Sequence, residues 1–225
     1  MVIEIMNVFD MIGPVMIGPS SSHTAGAARI GKVGYALLGE DVKEAHITLY
    51  GSFAKTYKGH GTDKALVAGV LGMKPDDKKL RNSLEIASQK GVYISFIESL
   101  EEKEHPNTVK LELNGVDGKA ITLEAMSVGG GNIMVTSVND MHVSFDCKHP
   151  TIVVLHSDVP GVIAEVAEEL AKSKINIGNF VLSREKKGGL AVMTIEMDAA
   201  PDERNISNLA RLPQVCGVTC IGALT

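Results

Sequence analysis

Ser20, Ser21, Ser22, His23 and Thr24 place four hydroxyls and one imidazole on consecutive residues, between Gly18-Pro19 and Ala25-Gly26. Apolar residues then recur at Ala27, Ile30, Val33 and Leu37, the spacing of a helix face. Ala25, Gly26, Ala27 and Ala28 keep the start of that helix slim, so a second backbone can approach it closely. The hydroxyl run thus precedes a helix, where unpaired N–H groups and a partial positive charge suit a carboxylate. The same field disfavours imidazolium, which biases His23 towards its neutral form. Neutral imidazole beside a bound anion is a proton acceptor. A serine-rich helix cap with a loop histidine would account for the same residues without chemistry. His60, between Gly59 and Gly61, is a second candidate, because flanking glycines permit close approach and unusual dihedrals. A simple turn residue is the alternative there. His46 and His105 read as structural or solvated.

Two parts position these residues, 1–148 and 149–225. In the first, Ala45 to Tyr50 alternates as a half-buried strand and ends at a Gly51-Ser52 turn. Lys64 to Leu71 reads as a buried helix capped by Thr62 and Asp63, and Lys78 to Gln89 as another. A strand is predicted from Val92 to Ile97. A hairpin pairs Val109, Leu111 and Leu113 with Ile121, Leu123 and Ala125. Gly129-Gly130-Gly131 interrupts a further strand pair, as a bulge, a loop or a binding element. The second part reads strand (151–155), helix (160–173), strand (175–184), strand (190–197), helix (201–212), strand (215–222). That is βαββαβ, the ferredoxin-like order, within an overall mixed α/β (α+β) chain. Pro160 is expected in the first turn of its helix, ahead of an apolar stripe at Ile163, Val166 and Leu170.

Several function classes drop out. A net charge of −5 and the lack of a basic, aromatic-interleaved cluster argue against nucleic acid as a partner. Gly26 to Lys32 nearly spells a phosphate-binding loop, but Val33 stands where the magnesium-ligating hydroxyl belongs. No uninterrupted apolar stretch is long enough to span a bilayer, and no basic segment precedes the apolar N-terminus as in a signal peptide. Three cysteines suggest a reducing compartment, so a cytoplasmic location is expected. Cys216 and Cys220 share a strand face with Val218 and read as buried free thiols, while Cys147 stands alone. No spacing here supplies an all-thiolate iron-sulfur cluster or another metal site.

The run Gly18 to Gly26, followed by Tyr50-Gly51-Ser52-Phe53-Ala54 and Lys58-Gly59-His60-Gly61-Thr62-Asp63, resembles the beta subunit of the iron-sulfur-dependent L-serine dehydratases. The resemblance covers essentially the whole chain. It implies a lyase (L-serine ammonia-lyase) acting with an alpha subunit whose cysteines hold a 4Fe-4S cluster. Ser20, Ser21, Ser22 and Thr24 would then bind the substrate carboxylate. His23 or His60 would be the base or orient the substrate, and Gly51 and Ser52 would form the opposite wall. His156 to Gly161 resembles the ligand loop of ACT domains, small regulatory modules that bind amino acids at a pairing interface. Asp158, Pro160, Gly161 and Asn176 are then the expected ligand-facing positions, and self-association through this part is expected. Asp158 departs from the asparagine common in serine-sensing members, and an ionised carboxylate accepts hydrogen bonds without donating any. The N-terminal part also resembles the allosteric substrate-binding domain of some phosphoglycerate dehydrogenases. That likeness implies an alternative, a non-catalytic amino-acid-sensing subunit.

Overall fold

In the computed structural model, residues 15–224 are described, so the apolar segment from Ile3 to Phe9 lies outside the described residues. The chain divides into two compact units between Met134 and Val135. The first unit opens with a π-helical turn, Ser21–Gly26, running into α1 (Ala27–Leu38). It continues through β1 (Val42–Leu49), α2 (Gly51–His60), α3 (Thr62–Val70), a 3-10 turn (Lys78–Asn82) and α4 (Ser83–Gln89). The strands β2 (Tyr93–Glu98), β3 (Thr108–Gly115) and β4 (Ala120–Gly129) come next, then β5 (Asn132–Val138) and, already in the second unit, β6 (Met141–Phe145). Strand order is β2-β1-β3-β4-β5-β6, and β5 straddles the division between units. β1 pairs parallel with β2 and antiparallel with β3, placing Ile47 opposite both Phe96 and Leu111.

The crossing of α1 and α3 organises the first unit. A Cβ at Gly31 would lie 2.3 Å from the Leu66 carbonyl oxygen, and one at Gly69 would lie 2.1 Å from the Ala28 carbonyl oxygen. The two backbones therefore touch, with Ala28, Ile30, Leu66 and Val70 fully buried around the contact. One turn further along α1, Gly34 seats against Leu111 and Leu113 of β3 and Leu123 of β4. The helix is thus held between a second helix and the sheet.

Sequence expectations change around α2 and α4. Lys78 to Gln89 is split, because the Asp77 side chain accepts from the Lys79 N–H and starts a separate 3-10 turn before α4. Gly51-Ser52 is the start of α2, a helix that periodicity missed. Its apolar content is low, and only Phe53, Ala54 and Tyr57 are buried.

The second unit contains β7 (Thr151–Ser157), α5 (Val162–Lys172), β8 (Ile177–Arg184), β9 (Leu190–Met197), α6 (Glu203–Ala210) and β10 (Val215–Ile221). The sheet order β10-β7-β9-β8 completes the βαββαβ arrangement. Ile152, Val154, Met193 and Ile195 of the sheet pack with Val162, Val166 and Leu170 of α5. The helix begins two residues after Pro160, with Gly161 as its N-cap. Its buried stripe accordingly starts at Val162, and Ile163 turns outward at 47% exposure. Cys216 is exposed and Cys220 only half-buried, in contrast to the buried pair expected. A β-bulge between Val215 and Gly217 makes Cys216 the extra residue and breaks the alternation.

Gly31→Ala forces a methyl group onto the Leu66 carbonyl, which no side-chain rotation relieves. Overpacking of this kind costs about 1–3 kcal/mol. A urea midpoint matching that of the unmodified protein would show that the helices separate freely at this crossing.

Candidate functional site

The π-helical turn arises where Ser20 ends extended backbone and caps the segment Ser21–Gly26. Ser20 Oγ accepts from the His23 N–H at 3.1 Å, and the Ser20 carbonyl accepts from the Thr24 N–H at 2.8 Å. A wide turn of this kind aims consecutive side chains differently from an α-helix and recurs at functional sites. It is backed by β4, since a Cβ at Gly26 would lie 2.1 Å from Ser127 Oγ.

His23 stands at the centre of the assembled groups. Ser20 Oγ lies 3.4 Å from Nδ1, and Ser52 Oγ of α2 lies 3.4 Å from Nε2. The ring meets Phe53 edge-on at 5.1 Å between centroids and faces His60 at 4.8 Å. Burial, and then the neighbouring His60, hold His23 below the usual histidine value. The shift favours the neutral ring, and its causes are burial and His60 rather than the helix field on which the sequence expectation rested. A histidine lowered in this way favours the folded state fully above about pH 6.5 and loses that contribution as pH falls through the lowered value.

Ser52 is fixed by a distant segment. Gly51 adopts φ 52°, and a Cβ there would lie 2.6 Å from the Pro106 carbonyl oxygen. That carbonyl accepts from the N–H groups of Ser52 (2.7 Å) and Phe53 (3.4 Å), closing the N-terminus of α2. Lys103 anchors the same loop by bridging Glu101 and Glu124 at 2.9 and 3.1 Å while lying over the Tyr50 ring. Ser52 thus stands beside His23 through its hydroxyl, but the Ser52 and Phe53 N–H groups are already used.

His60 ends α2, and Gly61 turns the chain directly into α3. His60 lines a cavity of about 580 Å³ with Gly18, Thr24, Gly61, Lys64 and Arg81, and His23 is absent from that lining. Thr24 is buried, and its hydroxyl has no hydrogen-bond partner among the described residues. Thr62 does not cap α3 as expected. It is the first helical residue, fully buried, and the backbone of Gly61 precedes it as N-cap. Sequence reasoning missed Lys64 and Arg81. The only signal was the four-residue step from His60 to Lys64.

The ACT-like loop is occupied by its own chain. Asp158 Oδ2 accepts from Arg184 at 3.0 Å and from the Gly188 N–H at 2.9 Å. These contacts, the Gly188 N–H first and Arg184 next, hold the Asp158 carboxyl below the usual aspartate range. Asn176 donates instead to Asp198 at 2.8 Å. Asn176 precedes β8 and Arg184 ends it, so the two positions stand about 25 Å apart along the strand. Within one chain Asp158 and Asn176 do not form one site. Pro160 and Gly161 are exposed in the turn before α5. His156 is buried, and its Nδ1–H donates to the Ser157 carbonyl at 2.8 Å, which shapes the strand end.

The described residues contain no group of three or more His, Cys, Asp or Glu side chains placed to hold a metal ion. Cys147 is buried, Cys216 exposed and Cys220 half-buried, a donor set that does not fit an iron-sulfur cluster. No helix among the described residues is long and apolar enough to cross a membrane.

Comparisons with known proteins place both halves of the chain in families. A family model described as serine dehydratase beta chain matches residues 7–138, and an ACT domain model matches residues 151–214. The "Probable L-serine dehydratase, beta chain" of Bacillus subtilis is 45% identical over 96% of this chain and 97% of its own length. The "L-serine dehydratase, beta chain" of Peptoniphilus asaccharolyticus is 37% identical over 84% of this chain and 86% of its own. D-3-phosphoglycerate dehydrogenase of Bacillus subtilis is 26% identical over 87% of this chain but only 37% of its own length.

NMR titration of the imidazoles checks the electrostatics. The His23 midpoint is expected below about 6.5, and His60→Gln should raise it only partway, because burial is the larger cause. A full return to the ordinary value would show that His60 alone sets it.

Proposed function

Because the chain belongs to the serine dehydratase beta chain family, we propose that it supplies the proton-abstracting and carboxylate-binding half of an L-serine ammonia-lyase site shared with an alpha subunit. The reaction removes water from L-serine, and the resulting enamine hydrolyses to pyruvate and ammonia. The observation that carries the reading is the contact of the His23 and His60 rings, with His60 lining a cavity and burial favouring the neutral form of His23.

His60 lines the cavity and takes the proton from the alpha carbon. His23 stands behind it, held between Ser20 and Ser52, and orients the pair. Ser21 and Ser22 receive the substrate carboxylate at the start of the turn, because the N–H groups of His23 and Thr24 are spent on Ser20. We place the 4Fe-4S cluster on the alpha subunit, and this chain's residues account for proton abstraction and carboxylate binding only. A cytoplasmic location follows from the thiol chemistry of such a cluster and from the free cysteines here.

The ACT part, taken as beginning near residue 149, serves regulation and assembly. Phe180 and Leu182 are 37% and 39% exposed on β8, an edge strand of its sheet. A second copy docked there would cover them. It would also bring the Asp158 end of one chain near the Asn176 end of another, as one effector touching both would require. Leu182→Lys should shift sedimentation towards monomer, and a wholly monomeric unmodified protein at micromolar concentration would refute the docking.

The likeness to D-3-phosphoglycerate dehydrogenase favours a second reading, a non-catalytic amino-acid sensor. Pyruvate formation from L-serine under anaerobic conditions separates the two. Activity is expected when this chain is combined with a cluster-loaded alpha subunit, and His60→Ala should lower kcat by about 10²–10⁴. His23→Ala should cost turnover far more than stability. A silent mixture in which this chain still binds serine would establish the sensor.

A further inference from the structure

The cavity beside His60 holds more positive charge than a serine zwitterion needs. Lys64 from the first turn of α3 and Arg81 from the 3-10 turn both line it, and among the described residues no carboxylate does. Among the described residues neither cation has an ion-pair partner. A cleft lined by one sign of charge focuses its field and concentrates counter-ions. Thr24, also in the lining, contributes a second and independent observation. It is 1% exposed, and its hydroxyl is buried without a hydrogen-bond partner among the described residues, a cost that a bound acceptor would relieve. The volume of about 580 Å³ falls in the range of small-molecule sites and leaves room beyond one small amino acid.

We propose that this cavity binds a compact dianion, a short dicarboxylate or a phosphate, with Lys64 and Arg81 as its anchors and the Thr24 hydroxyl turned towards it. Its place beside His60 makes the dianion a competitor of L-serine, a consequence that rests on the lyase reading above. The anion site itself does not depend on that reading.

Malonate and inorganic phosphate are the probes, with acetate at matched ionic strength as the singly charged control. Binding to the full free chain is followed by NMR of the His60 ring, and competition by the apparent KM for L-serine in the assembled enzyme. Malonate and phosphate are expected to bind and acetate to bind far more weakly. Arg81→Gln and Lys64→Gln should each weaken malonate by about fivefold, as loss of one exposed cation implies. Both side chains are exposed, and the variants read separately guard against a folding defect in either. Equal binding of acetate, or malonate affinity unchanged in both variants, would overturn the proposal. So would binding that disappears on assembly, since the alpha subunit would then fill the cavity. Binding to the free chain is read without turnover. A silent lyase assay therefore leaves the anion result standing, and absent anion binding leaves the lyase reading standing.

Discussion

The contact on which the first unit depends is the bare crossing of α1 and α3, where Gly31 and Gly69 let carbonyl and amide groups meet with no side chain between them. Each helix carries part of the site just ahead of its first residue. The π-helical turn with His23 runs into α1, and His60-Gly61 runs into α3. Any added thickness at the crossing would spread these two starting points apart. Rigid backbone contact is a stringent way to hold a pair of rings, because packed interiors yield little to small displacements. The sheet completes the arrangement by holding α1 from its other side at Leu111, Leu113 and Leu123.

Where the sequence was legible, the reason was local. The hydroxyl run announces a helix start, and the glycines around His60 announce a tight passage between helices, as Gly61 provides at φ 69°. The alternation of β3 and β4 and the βαββαβ order were read from periods of two and of 3.6 residues. Where it was illegible, the cause lay elsewhere in the chain. α2 begins on a carbonyl borrowed from Pro106, so nothing between Gly51 and His60 reveals it. Cys216 escapes alternation because β10 must absorb one extra residue against β7. Lys64 and Arg81 look like ordinary surface cations until the fold points both into one cavity.

The second unit shows how a recognisable loop can differ in state from its resemblance. Asp158 stands in the loop that resembles an ACT ligand loop, but Arg184 and the Gly188 N–H already satisfy it. An effector that engages this carboxylate must displace those partners or exploit their positive charge. The loop is therefore tied to the β8–β9 hairpin through these two contacts. Exposed ion pairs of this kind contribute little to stability, so the contact costs little to open.

The Pro106 cap carries a consequence for biosynthesis. A chain is made from its N-terminus, and its early segments emerge first. The serine run, Ser52 and His60 are all synthesised well before the carbonyl that closes α2. Until the β2–β3 loop has emerged and Lys103 has tied it to Glu124, the first turn of α2 lacks its acceptor, and Ser52 lacks the restraint that sets it beside His23. The assembled histidine site is thus a late product of vectorial synthesis. A nascent chain stalled before Pro106 would hold both histidines in its sequence without holding them in register.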